Sequence, residues 1–268
     1  MPIANINGVD LYYEIAGAGG AVVFLHGSNN SSQSWVNQMP VLAPKYRAIA
    51  VDHRGNGRSA APSREKDYSI KIFANDVFGL LKALNIEKCC PVGHSLGGFI
   101  ALQFALDHPD MLAGLVLVDT SSGHFDRPPG FAELRQKLDG LARSQGMEAV
   151  FEYNIANSPL MAQRLQAHPE MKEAMRQRML TTSVDGYIYA EKAIGKWQHV
   201  TPRLSEIKVP TLIFWGEEDA GFAAPVQILK EGIADSELVE VKGAGHSPHE
   251  ETTDVFNETL LNFLGRLN

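Results

Sequence analysis

The sequence predicts an α/β fold in which a mostly parallel sheet carries helices on both faces and is interrupted once by a helical insertion. Three observations lead to this reading. Short, wholly apolar runs such as Ala21-Val22-Val23-Phe24-Leu25 recur, as strands covered on both faces require. Stretches with apolar residues at helical spacing lie between them. From about Ser121 to Ser205 that alternation stops, and only helical patterns remain.

The elements follow in order. Asn5 to Glu14 reads as two short strands around an Asn7-Gly8 turn. Ala21–Leu25 is the first buried strand and ends at the polar loop His26-Gly27-Ser28-Asn29-Asn30. Such a loop can aim backbone N–H groups into a site. Arg47–Val51 is the next strand, followed by Asp52-His53-Arg54-Gly55-Asn56-Gly57-Arg58-Ser59. That stretch lacks the Gly-Lys-Ser/Thr ending of a phosphate loop and reads as a structural turn. Ser69 is placed to cap a helix whose Ile70, Phe73, Val77, Leu80, Leu81 and Leu84 form one apolar face. Lys88 to Val92 is a buried strand, Phe99 to Leu106 a buried helix, and Leu112 to Val118 another strand ending at Asp119. In the helical insertion, Met171, Met175 and Met179 fall on one face, a stripe expected to serve packing. Val209 to Trp215 resumes the sheet and ends at Gly216-Glu217-Glu218-Asp219. A helix around Pro225 to Ile233, the strand Leu238–Val241 and a final helix through Phe256, Leu260, Phe263 and Leu264 complete the chain. The expected layout is a core over 1–120, a helical cap over 121–205, and the rest of the core over 206–268.

Ser95 lies between the Lys88–Val92 strand and the following helix, in Val92-Gly93-His94-Ser95-Leu96-Gly97-Gly98. A serine on so sharp a turn, with glycine two residues away on each side, is a nucleophile elbow. A Cβ at Gly93 or Gly97 is expected to clash with the neighbouring strand or helix. The helix start behind Ser95 offers unsatisfied N–H groups and a positive dipole, which suit an oxyanion. Ser95, Asp219 and His246 each fall just beyond the C-terminal end of a buried strand, the edge where open α/β sheets form sites. A serine hydroxyl needs a base, histidine can be that base near neutrality, and a carboxylate fixes the imidazole tautomer. Asp119 also ends a strand, but the loop at Asp219 is the preferred source of the acid. His246, directly after Gly245, is preferred over His249.

Composition bounds the remaining classes. The 268 residues are 44% hydrophobic and 21% charged, enough apolar material for a sizeable core. The net charge of −7, without a long basic run, argues against nucleic acid as a partner. Cys89 and Cys90 are adjacent on a strand, so their side chains point to opposite faces and do not pair. No stretch approaches a membrane span, and the N-terminus lacks the basic start and apolar core of a signal peptide. A cytoplasmic setting is expected. No Cys/His cluster has metal-ligand spacing, and neither metal nor organic cofactor is expected.

On His26-Gly27-Ser28, the Asp52–Ser59 turn, Gly93–Gly98, Gly216–Asp219 and Gly245-His246, the chain resembles the α/β-hydrolase superfamily along nearly its full length. The resemblance implies an eight-stranded sheet with the cap inserted after the sixth strand. It implies a catalytic triad of Ser95, Asp219 and His246, and an oxyanion hole from the backbone N–H groups of Ser28 and Leu96. Members that use an aspartate nucleophile are excluded by Ser95. The C–C hydrolases of meta-cleavage products typically carry asparagine before the nucleophile and tryptophan after the histidine. His94 and Ser247 stand there instead. Carboxylesterases and enol-lactonases fit without such a departure, so the expected substrate is a small-molecule ester or lactone, with water as co-substrate. C–C cleavage and a triad-bearing small-molecule receptor remain the alternatives. Asn29, Phe125, Met147, Phe151, Met161 and Trp197 are expected to line the substrate pocket, without a clear cationic cluster in the cap.

Overall fold

The computed structural model describes residues 2–123 and 129–267. Its centre is a single eight-stranded sheet in the order β1-β2-β4-β3-β5-β6-β7-β8. The strands are β1 Ile3–Ile6, β2 Val9–Ala16, β3 Gly20–Leu25, β4 Tyr46–Val51, β5 Cys89–His94, β6 Leu115–Val118, β7 Thr211–Gly216 and β8 Ser236–Val241. β1 and β2 form a hairpin, and β2 runs antiparallel to β4; every other pairing is parallel. Asn7 and Gly8 both take positive φ, 52° and 77°, as the expected two-residue turn demands.

The helices are α1 Met39–Leu42, α2 Ile70–Ala83, α3 Leu96–Asp107, α4 Phe131–Asn157, α5 Pro159–Ala167, α6 Met171–Leu180, α7 Val184–Lys196, α8 Ala223–Gly232, α9 Pro248–Glu251 and α10 Thr253–Leu264. α2, α3 and α8 cover one face of the sheet with Phe73, Leu80, Ile100, Phe104, Val226 and Leu229. Trp35, α1 and α10 cover the other, around Phe24, Leu42, Phe256 and Phe263. Cys89 packs into the first layer and Cys90 into the second, as adjacent strand residues must. α3 lies between the sheet and its neighbours with nearly every residue buried, so it needs no polar face. Ser69 caps α2 by accepting from the Ile72 N–H, as expected.

α4 to α7 are the insertion between β6 and β7, and among the described residues it contains no strand. They have a core of their own, from Leu138, Met147, Val150, Phe151, Met179, Tyr187 and Ile188. α4 is broken at Gly146, whose φ of 81° is non-helical. The turn at 52–59 docks α7 against the sheet. Ser183 N–H donates to Gly55 O at 2.8 Å, and Gly55 and Gly186 are in direct backbone contact range. Arg54 holds the turn from beneath through a buried bidentate pair with Asp76, at 2.6 and 2.7 Å. Asp52 accepts from Ser32 N–H and Arg58 N–H, at 2.6 and 2.8 Å, so this same turn braces the loop after β3.

Candidate active site

Ser95 occupies the step from β5 to α3 with φ 51° and ψ −114°. A non-glycine residue in that region carries roughly 1–3 kcal/mol of strain and persists only where its surroundings hold it. Here Ser95 N–H donates to Val118 O at 3.0 Å, and Ser95 O accepts from Thr120 Oγ1 at 2.8 Å and Gly98 N–H at 2.9 Å. The glycines are required as expected. A Cβ at Gly93 would lie 2.3 Å from Gly97 O, and one at Gly97 would lie 2.0 Å from Leu25 O. Leu96 opens α3, so its N–H has no acceptor within the helix and points beside Ser95.

His246 Nδ1 lies 2.6 Å from Asp219 Oδ2. Asp219 is buried, whereas the His246 ring is partly exposed to the cavity. The loop that carries Asp219 is tied to the loop of His246 by Glu218 N–H donating to Ala244 O at 2.9 Å, and Trp215 Nε1 donates to Asp219 O. Behind Asp219 stands Asp119, fully buried, with φ 40°. One Asp119 oxygen accepts from Gly216 N–H at 3.0 Å. Atoms of Asp119, Asp219 and His246 come within 4.8 Å of one another. Burial, reinforced by the Asp219 charge beside it, pushes the Asp119 carboxyl well above the usual range. Burial and the Asp219 charge thus both oppose a second negative charge at Asp119, whereas Asp219 is the carboxyl that touches the imidazole.

Three further histidines are structural. His26 Nε2 accepts from His53 N–H at 3.0 Å while its Nδ1 lies 2.7 Å from Gly27 O; burial lowers it to about 4. His249 is fully buried and stacks on Trp35 at 4.2 Å, unlike His246. His94 donates from Nε2 to His246 O at 2.6 Å and packs against both His246 and His249. Burial holds His94 and His249 neutral, well below the ordinary histidine range.

A cavity of about 240 Å³ opens over Ser95 and His246. Of the residues expected to line it, Asn29, Phe151 and Met161 do, and Ser28, expected in the oxyanion hole, lies on its wall as well. Met147 does not: it is buried in the core of the insertion. Trp197 also lies elsewhere, against Phe99 at 5.1 Å and with its indole N–H on Gln103 Oε1. Phe125 falls outside the described residues. Met175 and Met179, read from sequence as packing, do pack in the core of the insertion and also line the cavity. The absence of a cationic cluster is also corrected, since Arg164 and Arg178 both reach the cavity.

Those arginines are not free cations. Arg164 pairs with Glu250 at 3.0 Å and Glu251 at 2.7 Å, and Arg178 with Glu250. Glu251 also accepts from Gly245 N–H at 2.5 Å. Two positive and two negative side chains thus cancel, and they bind α5 and α6 to the segment that carries His246. Sequence reasoning missed this quartet because its arginines, on α5 and α6, lie 86 and 72 residues before the Glu250 they share on α9.

Residues 20–253 match the family model of the alpha/beta hydrolase fold. A relative from Azorhizobium caulinodans whose name proposes carbamate hydrolysis is 30% identical over the whole of both chains. The 2-hydroxy-6-oxo-6-phenylhexa-2,4-dienoate hydrolase of Comamonas testosteroni is 30% identical over 95% of this chain and 91% of its own. Among solved structures, the enol-lactonase of Burkholderia xenovorans LB400 superposes with a TM-score of 0.87 at 28% identity, covering 98% of this chain and all of that one.

Proposed function

The chain belongs to the α/β-hydrolase fold family, and from that premise we propose that it hydrolyses a carboxylic ester or lactone through an acyl-enzyme. The observation that carries the proposal is the 2.6 Å contact of His246 Nδ1 with buried Asp219, in one cavity with a strained, exposed-edge Ser95. Ser95 Oγ attacks the carbonyl carbon while His246 Nε2 takes its proton. Asp219 holds the tautomer that makes this possible and stabilises the imidazolium. The N–H groups of Leu96 and Ser28 receive the oxyanion. His246 then protonates the leaving oxygen, the C–O bond breaks, and the acyl group stays on Ser95. Water, deprotonated by His246, attacks the acyl carbon and releases the acid.

The cavity favours this over C–C cleavage of a dienoate, the class of compound in the name of the Comamonas relative. A dianionic substrate needs uncompensated positive charge, and Glu250 and Glu251 neutralise Arg164 and Arg178. Phe151, Met161, Met175 and Met179 supply an apolar, adaptable wall suited to an acyl group. Steady-state hydrolysis of p-nitrophenyl acetate tests the proposal. Sustained turnover by the wild type and a loss on the order of 10³-fold or more in Ser95→Ala are expected. Equal rates, or one turnover followed by stalling as a receptor would show, contradict it.

A further inference from the structure

His94 ends β5, one residue before Ser95, and its side chain is buried. From there its ring reaches the two other parts that acyl transfer needs. Nε2 lies 2.6 Å from the main-chain O of His246, and the two imidazole centroids are 4.9 Å apart. Against the same ring stands Gly27, the residue before Ser28. A Cβ on Gly27 would come within 2.8 Å of His94 Nδ1 and 3.3 Å of Ser95 Cβ. We propose that His94 is a positioning residue, a strut that sets the spacing between Ser95, the base His246 and the oxyanion loop at Ser28. The proposal rests on the acyl-transfer reading above.

The bonding pattern explains why a histidine suits this task. A carbonyl oxygen only accepts, so the His94 ring carries its proton on Nε2 and donates to His246 O. Nδ1 keeps a lone pair on the side of Gly27 and has no hydrogen-bond partner among the described residues. Burial pushes the ring well below the ordinary histidine range, so Nδ1 does not take up a second proton near neutrality. Both ends of the strut are themselves fixed. β5 is held between β3 and β6, as far as the pairing of His94 with Val118. The His246 segment is held one residue earlier by Gly245 N–H donating to Glu251 at 2.5 Å, but that bond leads to α9 and, through Arg164, to the insertion. The bond to His94 leads instead to the nucleophile's own strand. A shift of the His246 main chain moves its ring relative to Ser95, and a misplacement on the order of 1 Å can cost about 100-fold in rate.

The experiment compares wild type with His94→Leu and His94→Gln in the hydrolysis of p-nitrophenyl acetate. Leucine fills a similar space and cannot donate; glutamine carries an amide N–H about where Nε2 stands. Titration with diethyl p-nitrophenyl phosphate counts the reactive serines, so that each kcat is expressed per competent site. His94→Leu should lose about 10- to 100-fold in kcat with KM within about threefold, and its rate of phosphorylation by that reagent should fall in the same proportion. His94→Gln should recover kcat to within about fivefold of the wild type. Should His94→Leu not fold, His94→Asn carries the comparison with the same expected loss, since its amide ends near the place of Nδ1 and falls short of His246 O. An unchanged kcat per competent site in the variant without the donor overturns the proposal, because His94 would then only fill space. Equal losses in that variant and in His94→Gln overturn it too, because the donated bond would not matter. Either result with an active wild type removes the strut and leaves the acyl-transfer reading standing, whereas folded wild type that hydrolyses no ester removes both.

Discussion

Two carboxyls stand behind His246, and their environments separate their roles. Asp219 touches Nδ1 directly, whereas Asp119 is one layer deeper, hydrogen-bonded to Gly216 N–H, with its carboxyl pushed up by burial. Asp219→Asn should therefore cost on the order of 10³- to 10⁴-fold in kcat, because an amide presents the wrong partner to the imidazole. Asp119→Asn keeps the acceptor for Gly216 N–H and does not touch the imidazole, and should lose less than about tenfold. The kcat values of the two variants check this, and the reverse ranking would move the acid to Asp119. The sequence already pointed to Ser95, Asp219 and His246, since each follows an apolar run at a strand end. It could not show Arg178 or Glu250 in the cavity, because charged residues on a helix read as a solvated face until tertiary contacts turn them inward.

At the scale of elements, the buried strands and α3 were legible as continuous apolar runs, and α2 and α10 because burial of one face writes a helical period into the sequence. Strand ends were less so: β5 runs on to His94, two residues beyond the apolar run, because its ladder with β6 continues to Val118. The methionine stripe of α6 packs as expected, Met179 within the core of the insertion and Met175 against it, and the same two residues also line the cavity, which the sequence could not show because apolar residues facing a cavity and a core look alike. The turn at 52–59 was rightly taken as structural, and its energetics can be measured. Asp76→Ala would strand the buried Arg54 guanidinium and should cost about 3–5 kcal/mol. The double variant Arg54→Met/Asp76→Leu should be less destabilised, since neither charge is left buried alone. Urea denaturation of the three proteins checks this, and a single variant as stable as the wild type would show that the turn is held by other contacts.

The whole molecule carries a pH dependence in its buried histidines. His26, His53, His94 and His249 are all held below the ordinary histidine value, chiefly by burial. In the unfolded chain they take protons near 6.5, whereas the folded protein resists doing so; His26 waits until about 4. The unfolded state therefore binds more protons below about pH 6.5, and stability falls as the pH drops from there towards 4. His26 alone accounts for about 3 kcal/mol across that window. Tm measured from pH 7.5 to 4.5 should fall steadily below about 6.5; a flat profile would mean that these rings take up protons in the fold as readily as in the unfolded chain. The protein's reaction is also a property of the assembled molecule, because the ion-pair quartet that neutralises the cavity joins the insertion to the core. Short esters or a small lactone should turn over freely, and a dienoate from catechol meta-cleavage slowly. A kcat/KM for the dienoate far above that of every ester and lactone would promote C–C cleavage instead.

The central claim is that Ser95 becomes covalently acylated. The most direct measurement is the intact mass of the protein, followed by peptide mapping, after treatment with diethyl p-nitrophenyl phosphate. One diethylphosphoryl group per chain, on the peptide that contains Ser95, should appear in step with the loss of esterase activity and be absent from Ser95→Ala. Activity lost with no adduct on Ser95, or an adduct on another residue that tracks the loss, would contradict it.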